Sequence, residues 1–274
     1  MNTINCKGQL IDLKTPKVMG ILNITPDSFY DGGKYKNEND LLKQVEKMLA
    51  EGTTFIDIGA YSSRPGAADI SEEDEKKRIL PVLDLILKKF PETIISIDTF
   101  RSNIAKVCIN AGAALINDIS AGNIDKKMVP TVAALKVPYI AMHMQGTPQN
   151  MQQKPEYKDI VSELIYFFSE KAKIARESGI NDLIIDPGFG FGKTVEHNYE
   201  ILKKMELFSM LELPLLVGIS RKSMIYKTLK TIPEEALNGT TALHTVSLIK
   251  GAKILRVHDV KEAVECVQLI QQIQ

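Results

Sequence analysis

The sequence predicts a single (β/α)8 TIM barrel occupying residues 1–274, opening with a short β-hairpin over residues 1–15. Three observations carry this expectation. Eight short apolar runs recur along the chain, amphipathic helical patterns lie between them, and 274 residues is an ordinary length for one closed α/β barrel. The runs are apolar throughout instead of alternating, which marks strands buried on both faces, as in a parallel sheet covered by helices.

The first elements are two alternating segments, 3–6 and 9–13, flanking Lys7-Gly8, and they read as a hairpin. The barrel runs follow at 18–22, 55–58, 94–97, 114–116, 139–142, 183–185, 215–217 and 254–257. Among the helical patterns, Leu41, Leu42, Val45, Met48 and Leu49 are stopped by Gly52. Ile160, Val161, Leu164, Phe168, Ala172 and Ala175 are stopped by Gly179.

Composition narrows the function classes. Lys+Arg and Asp+Glu number 34 each, so no global field draws the chain to nucleic acid or to an anionic membrane. No apolar run approaches the roughly 20 residues that span a bilayer, and the N-terminus lacks a signal peptide's apolar core; a cytoplasmic protein is expected. Cys6, Cys108 and Cys266 are far apart and show no metal-ligand spacing, and the four histidines show no zinc pattern.

Chemistry gathers where the strands end. In 182–194 an apolar run closes on Asp186, and Pro187-Gly188-Phe189-Gly190-Phe191-Gly192-Lys193-Thr194 follows. The glycines suit close approach of backbone to a ligand, with Lys193 reaching back over it. The spacing matches neither a P-loop nor a dinucleotide fingerprint; alone, the stretch reads better as a turn with a solvated lysine. It is not alone. Asn23, Asp57, Asp98, Asn117 with Asp118, His143, Asp186, Ser220 with Arg221 and Lys222, and Arg256 with His258 all fall at strand C-termini, the rim where such barrels build their sites. Asp57 and Asp118 read equally as members of the site and as helix caps or structural hydrogen-bonding groups.

Asp98, Asn117, Asp186 and Lys222 offer donors and acceptors suited to a flat heterocycle with exchangeable N–H groups and a carbonyl. Arg64, Arg256 and His258 can hold an anion, and Asn23 suits Mg2+ bound mainly through substrate phosphates and water. Ser223, opening the helix after the seventh strand, marks a second anion site or a plain N-cap. Along the last strand, Arg256 and His258 should face the barrel mouth while Val257 packs outward. Asp259, with Glu262 three residues on, has the signature of an N-cap. Gly32-Gly33 suggests a mobile lid over 25–33.

Several stretches together resemble the dihydropteroate synthase family across nearly the whole chain. They are Asn23-Ile24-Thr25-Pro26-Asp27-Ser28-Phe29, Ser63-Arg64-Pro65-Gly66, Ser96-Ile97-Asp98-Thr99, Asn117-Asp118-Ile119-Ser120, Met142-His143-Met144-Gln145-Gly146, the loop after Asp186, Gly218-Ile219-Ser220-Arg221-Lys222-Ser223 and Arg256-Val257-His258-Asp259. One stretch departs from the family: Ala60-Tyr61-Ser62-Ser63 stands where Gly, Glu or Gln, Ser and Thr are usual. Ser63 keeps the hydroxyl, so altered packing is expected more than lost activity.

The resemblance implies condensation of a dihydropterin methyl diphosphate with 4-aminobenzoate, giving dihydropteroate and diphosphate. It implies that Asp98, Asn117, Asp186 and Lys222 hold the pterin, and that Arg256 stacks on it and meets the diphosphate with His258. Asn23 would help carry Mg2+. Phe29, Asp31, Ser63, Arg64 and Pro65 would close over the reaction, and Phe191 and Ser223 would shape the aminobenzoate pocket. It also suggests a homodimer. The competing expectations are a folate-binding methyltransferase domain of the same superfamily and a non-catalytic pterin-binding protein.

Overall fold

The computed structural model describes residues 3–24, 38–61, 69–151 and 155–273. The chain opens with a hairpin of β1 (Thr3–Cys6) and β2 (Gln9–Asp12), turned by Lys7 and Gly8, both at positive φ. Strand and helix then alternate: β3 (Lys17–Asn23), α1 (Glu38–Ala50), β4 (Phe55–Gly59), α2 (Glu72–Lys89), β5 (Ile94–Asp98), α3 (Ser102–Asn110), β6 (Leu115–Asp118), α4 (Met128–Leu135), β7 (Tyr139–Met142), α5 (Ile160–Glu177) and β8 (Leu183–Asp186). The last quarter holds α6 (Val195–Lys203), β9 (Leu216–Val217), α7 (Ser223–Leu229), α8 (Leu237–Ile249), β10 (Ile254–Val257) and α9 (Val260–Ile270).

The eight strands from β3 to β10 are all parallel, in the spatial order β8-β7-β6-β5-β4-β3-β10-β9. The ring is drawn together between β8 and β9 by one parallel bridge, Ile185 to Leu215, with the Ile185 amide donating to the Pro214 carbonyl at 3.0 Å. Each expected strand is present; β3, β5, β6 and β8 extend into the polar residue at the tip and β4 into Gly59, while β6 and β9 each begin one residue late.

The period of two along each strand divides the side chains. Outward residues such as Ile56, Ile58, Ile95, Ile97, Val217 and Val257 pack under the helices. Inward residues near the strands' N-terminal ends, including Met19, Phe55, Leu115, Ile140, Ile184, Leu216 and Ile254, form an apolar floor that Ile4, Cys6, Ile11 and Leu13 of the hairpin seal from below. Two residues further along, the inward set turns polar: Asp57, Ser96, Asn117, Asp186 and Arg256. The floor is therefore closed and dry, and the hydrogen-bonding groups are collected at one end.

Helix boundaries follow the glycine signals, with Gly52 and Gly179 at positive φ just beyond α1 and α5. At the last helix the expectation is corrected. Asp259 occupies the N-cap position of α9, but its carboxylate caps nothing. It is held instead by Arg221, whose Nε and Nη2 donate to Asp259 Oδ2 and Oδ1 at 2.7 and 2.8 Å. A bidentate guanidinium bond outcompetes a single backbone amide for the same two oxygens. Among the described residues, no helix is long and apolar enough to cross a membrane.

Candidate active site

At the base of the barrel mouth, one guanidinium ties three strands together. Arg256 Nε donates to Asp57 Oδ2 at 2.6 Å and Arg256 Nη2 donates to Asp98 Oδ2 at 2.7 Å, while Asn117 Nδ2 donates to Asp57 Oδ2 at 3.0 Å. Asp57 is fully buried, and among the described residues its Oδ1 has no hydrogen-bond partner. The Asp98 side chain retains 15% exposure and Arg256 19%, so both still face the mouth. Burial pushes the Asp98 carboxyl up to about 7, with Arg256 opposing the shift and Asp57 adding to it. For Arg256, burial works against the charge, but Asp57 and Asp98 outweigh it and hold the guanidinium above its ordinary value.

Across the mouth, Asp186 and Lys222 are opposite charges that act on each other electrostatically. Asp186 Oδ1 accepts the Gly188 amide at 2.8 Å, an arrangement set by the turn that ends β8. Burial raises its carboxyl, and Lys222 opposes. Burial lowers the Lys222 amine to about 8, with Asp186 opposing. Lys222 Nζ donates to the Phe189 carbonyl and lies 4.6 Å from the centre of the Phe191 ring. Gly218 puts no side chain between these groups. A Cβ built there would sit 3.9 Å from Asp186 Oδ2, 3.9 Å from Arg256 Cβ and 4.0 Å from Lys222 Nζ, in ordinary contact with all three. The same holds at Gly59, where a Cβ would touch Asp98 Oδ2 and Asn23 Oδ1 at 3.6 and 3.7 Å. Carboxylates, an amine and a guanidinium thus line the mouth with no glycine side chain added among them.

An apolar cluster lies beside them. Ile119, Met142, Met144 and Met151 form a small cluster with Phe100 and Phe191. His258 Nδ1 is 3.1 Å from Ser220 Oγ, and the His258 amide donates to the same oxygen at 3.2 Å, which fixes the ring at the end of β10. Tyr61, the departure in the second loop, packs edge-on to Phe100 at 5.0 Å, lies under the Arg101 guanidinium at 5.4 Å and accepts a hydrogen bond from Gln149 Nε2 at 2.9 Å.

The structure thus brings Asn23, Asp98, Asn117, Asp186, Phe191, Lys222, Arg256 and His258 to one end of the barrel. Val257 faces outward into the core, as the strand period requires. Other expectations need correction. Lys193 does not reach over the cleft: it is buried beneath the glycine-rich loop, with His143 Nδ1, the His143 carbonyl and the Phe191 carbonyl at 3.0, 3.2 and 2.9 Å. Arg221 turns outward to Asp259 and to the carbonyls of Pro233 and Glu234. Asp118 is structural, accepting from Ser120, Gly122 and Tyr139. Ser223 is the first residue of α7, after an N-cap at Lys222. Phe29, Asp31, Ser63, Arg64, Pro65 and the expected lid 25–33 lie outside the described residues.

Sequence reasoning left Asp57 out of the ligand set, although its position, two residues after inward Phe55, already placed it inside the barrel. It also missed the wall of Ile119, Met142 and Met144, whose apolar types carry no chemical signature.

Comparison with known proteins agrees with this geometry. The pterin binding enzyme family matches residues 19–258. The chain is 42% identical over 267 residues to the dihydropteroate synthase of Escherichia coli K12, covering 97% of this chain and 94% of that one. It is 41% identical to the Bacillus subtilis dihydropteroate synthase over 249 residues, covering 89% and 84%. Among solved structures, the Yersinia pestis dihydropteroate synthase in a sulfonamide drug complex superposes with a TM-score of 0.93 at 41% identity, covering 99% and 98% of the two chains. The Xanthomonas albilineans enzyme with 4-aminobenzoic acid gives 0.91 at 36%, covering 100% and 98%. The chain belongs to the pterin-binding enzyme family, among its dihydropteroate synthases.

Proposed function

We propose that this chain condenses (7,8-dihydropterin-6-yl)methyl diphosphate with 4-aminobenzoate in the cleft between Arg256 and Lys222, as a step of folate biosynthesis. The observation that carries the reading is the gathering of two carboxylates, Asp98 and Asp186, with the guanidinium of Arg256 and the amine of Lys222 at the barrel mouth. A flat pterin presents N–H donors to carboxylates and a carbonyl to an amine, which is the set found here.

In the reaction the bond between the pterin methylene and the diphosphate oxygen breaks, the electron pair leaves with diphosphate, and positive charge develops on the methylene. Asp98 and Asp186 face that charge. Because they are fixed before the reaction and shielded from water, they stabilise it without reorganising. The aminobenzoate nitrogen then forms the new C–N bond and loses a proton. No nucleophilic side chain is needed. Arg256 and His258 are placed to receive the leaving diphosphate, and Lys222 to hold the pterin. By family resemblance Phe29, Asp31, Ser63, Arg64 and Pro65 cover the site, and Phe191 and Ser223 flank the aminobenzoate.

Among the described residues, no cluster of His, Cys, Asp and Glu could hold a metal. A lone neutral oxygen such as Asn23 Oδ1 suits an ion that arrives on its substrate, so we assign Mg2+ to the diphosphate with Asn23 as its protein contact. Bound there, it would neutralise the leaving group. The chain is proposed to act in the cytoplasm as one barrel domain and as a homodimer. Leu207, Met210, Leu229, Ile249 and Leu269 leave apolar side chains exposed along the last quarter of the chain, a feature that suits a partner.

The test is turnover of the two substrates with and without Mg2+. Diphosphate and dihydropteroate in equal amounts are expected. Pterin binding without diphosphate release would reduce the protein to a binding module.

A further inference from the structure

The loop after β8 carries its glycines for a reason the cleft does not explain. Gly188 and Gly192 both have positive φ. A Cβ on Gly188 would collide with the His143 carbonyl oxygen, and one on Gly192 would lie 2.6 Å from the Gln145 carbonyl oxygen. These two glycines press the loop against the loop that follows β7. Of the three, only Gly190 faces the site, where a Cβ would meet Lys222 Cδ at 3.2 Å.

Between the two loops lies Lys193, 3% exposed. Its Nζ lies within hydrogen-bond reach of three groups, His143 Nδ1, the His143 carbonyl and the Phe191 carbonyl, and burial lowers the amine to about 7, with Asp186 opposing. The arrangement holds the histidine as well. Burial, with Lys193 adding to it, holds the His143 ring down to about 3, so the ring is neutral. Phe167 packs edge-on against that ring at 4.8 Å, so the acceptor cannot turn away freely. On the far side of the loop, the Gly190 amide donates to Asn198 Oδ1 at 2.7 Å. The segment 189–191 is thereby held from both sides, and it is this segment that holds Lys222, through the Phe189 carbonyl and the Phe191 ring.

We propose that Lys193 is a positioning residue for the pterin site: its buried amine pins the glycine-rich loop to the loop after β7 and, through Phe189 and Phe191, sets where the amine of Lys222 lies. Lys193 itself touches no substrate. The inference rests on the proposed pterin function and adds to it a residue that acts at one remove.

A double-mutant cycle separates this role from general support of the fold. Binding of an oxidised pterin lacking diphosphate is measured by calorimetry for the parent protein, Lys193→Met, Lys222→Met and the double variant. If Lys193 acts through Lys222, Lys193→Met weakens binding about tenfold in the parent but less than about twofold once Lys222 is gone. The same loss in both backgrounds, or no loss in the parent, overturns the proposal. If Lys193→Met does not fold, His143→Leu removes one acceptor and enters the same cycle, with a smaller loss again confined to the Lys222 background. A parent protein that binds no pterin would overturn the functional reading itself, a result distinct from a parent that binds and a variant that binds equally well.

Discussion

Arg256 and Arg221 are both clamped by carboxylates, and the contrast between them separates a site from a brace. Arg221 meets a single carboxylate, Asp259, with two parallel bonds, and spends another donor on the carbonyls of Pro233 and Glu234. Arg221 and Asp259, at 23% and 20% exposure, meet oxygen for N–H, and the remaining guanidinium nitrogen is taken by carbonyls. Arg256 is shared between carboxylates on two different strands, one of them fully buried with an oxygen that has no partner among the described residues. An unspent acceptor beside a buried cation stores unfavourable desolvation that a ligand can relieve. The same residue types therefore play opposite parts according to how completely they satisfy each other.

The largest expected effect is at Arg256. Arg256→Ala strands Asp57 and Asp98 without their cation, and breaking a buried pair in this way should cost roughly 3–5 kcal/mol as well as abolish turnover. An arginine that only held the leaving group would lose turnover and leave stability unchanged. Denaturant unfolding at neutral pH decides between the two, and a variant as stable as the parent would remove the contrast with Arg221. Next is Asp186→Asn, which takes one charged partner from the pterin and should weaken its binding by roughly 1.5–3 kcal/mol. Unchanged affinity by calorimetry would place the pterin elsewhere.

Arg221→Ala and Asp259→Ala should each lower stability by about 1–2 kcal/mol, discounted for partial exposure, with kcat and KM near parental values. Because the two act on each other, the double variant should be little worse than either single one. Additive losses in thermal melts would mean that Asp259 acts on α9 separately from Arg221.

Titration sharpens the comparison further. Asp98, raised to about 7, must ionise to face a cationic methylene, and Lys222, lowered to about 8, must stay protonated to donate. The profile of kcat/KM should therefore rise through about pH 7 and fall through about pH 8. A flat profile across both values would refute these roles. The smallest effect concerns His244 in α8, whose Nε2 is buried without a partner and which burial holds down to about 4 against the opposing charge of Asp259. A folded value below the ordinary 6.5 means that the native state binds fewer protons. The stabilising contribution is complete above 6.5 and is lost as pH falls through about 4. His244→Phe should flatten the acid limb of the stability curve in that window, and an unaltered limb would assign acid unfolding to other groups such as His143.

What the sequence disclosed, and what it hid, follows one physical line. Strands buried on both faces must be apolar throughout, so β3 to β10 were legible as runs, and Lys7-Gly8 announced the hairpin turn. The site's members were legible because a barrel collects strand tips. Their pairing was not. That Arg256 would take Asp57 from a strand near the start of the chain is decided by the ring closing, and local spacing is blind to that. The same blindness moved Asp259 from helix cap to ion-pair partner and hid Lys193 under its own loop. A smaller miss is the cap of α6, where Thr194 accepts the His197 amide and His197 Nδ1 accepts the Thr194 amide, a reciprocal box built with histidine where Glu or Gln is the usual signal.

The hairpin sets an order of assembly. It is synthesised before every barrel strand, yet Ile4, Cys6, Ile11 and Leu13 are buried against residues of strands that include the last, at Ile254. Until β10 has emerged and joined β3 and β9, that apolar surface has no complete seat. An element made ahead of the barrel strands is thus docked after them, and seating it requires a finished ring, so a chain stalled before β10 presents four incompletely covered apolar side chains to whatever cellular machinery surveys unfinished proteins.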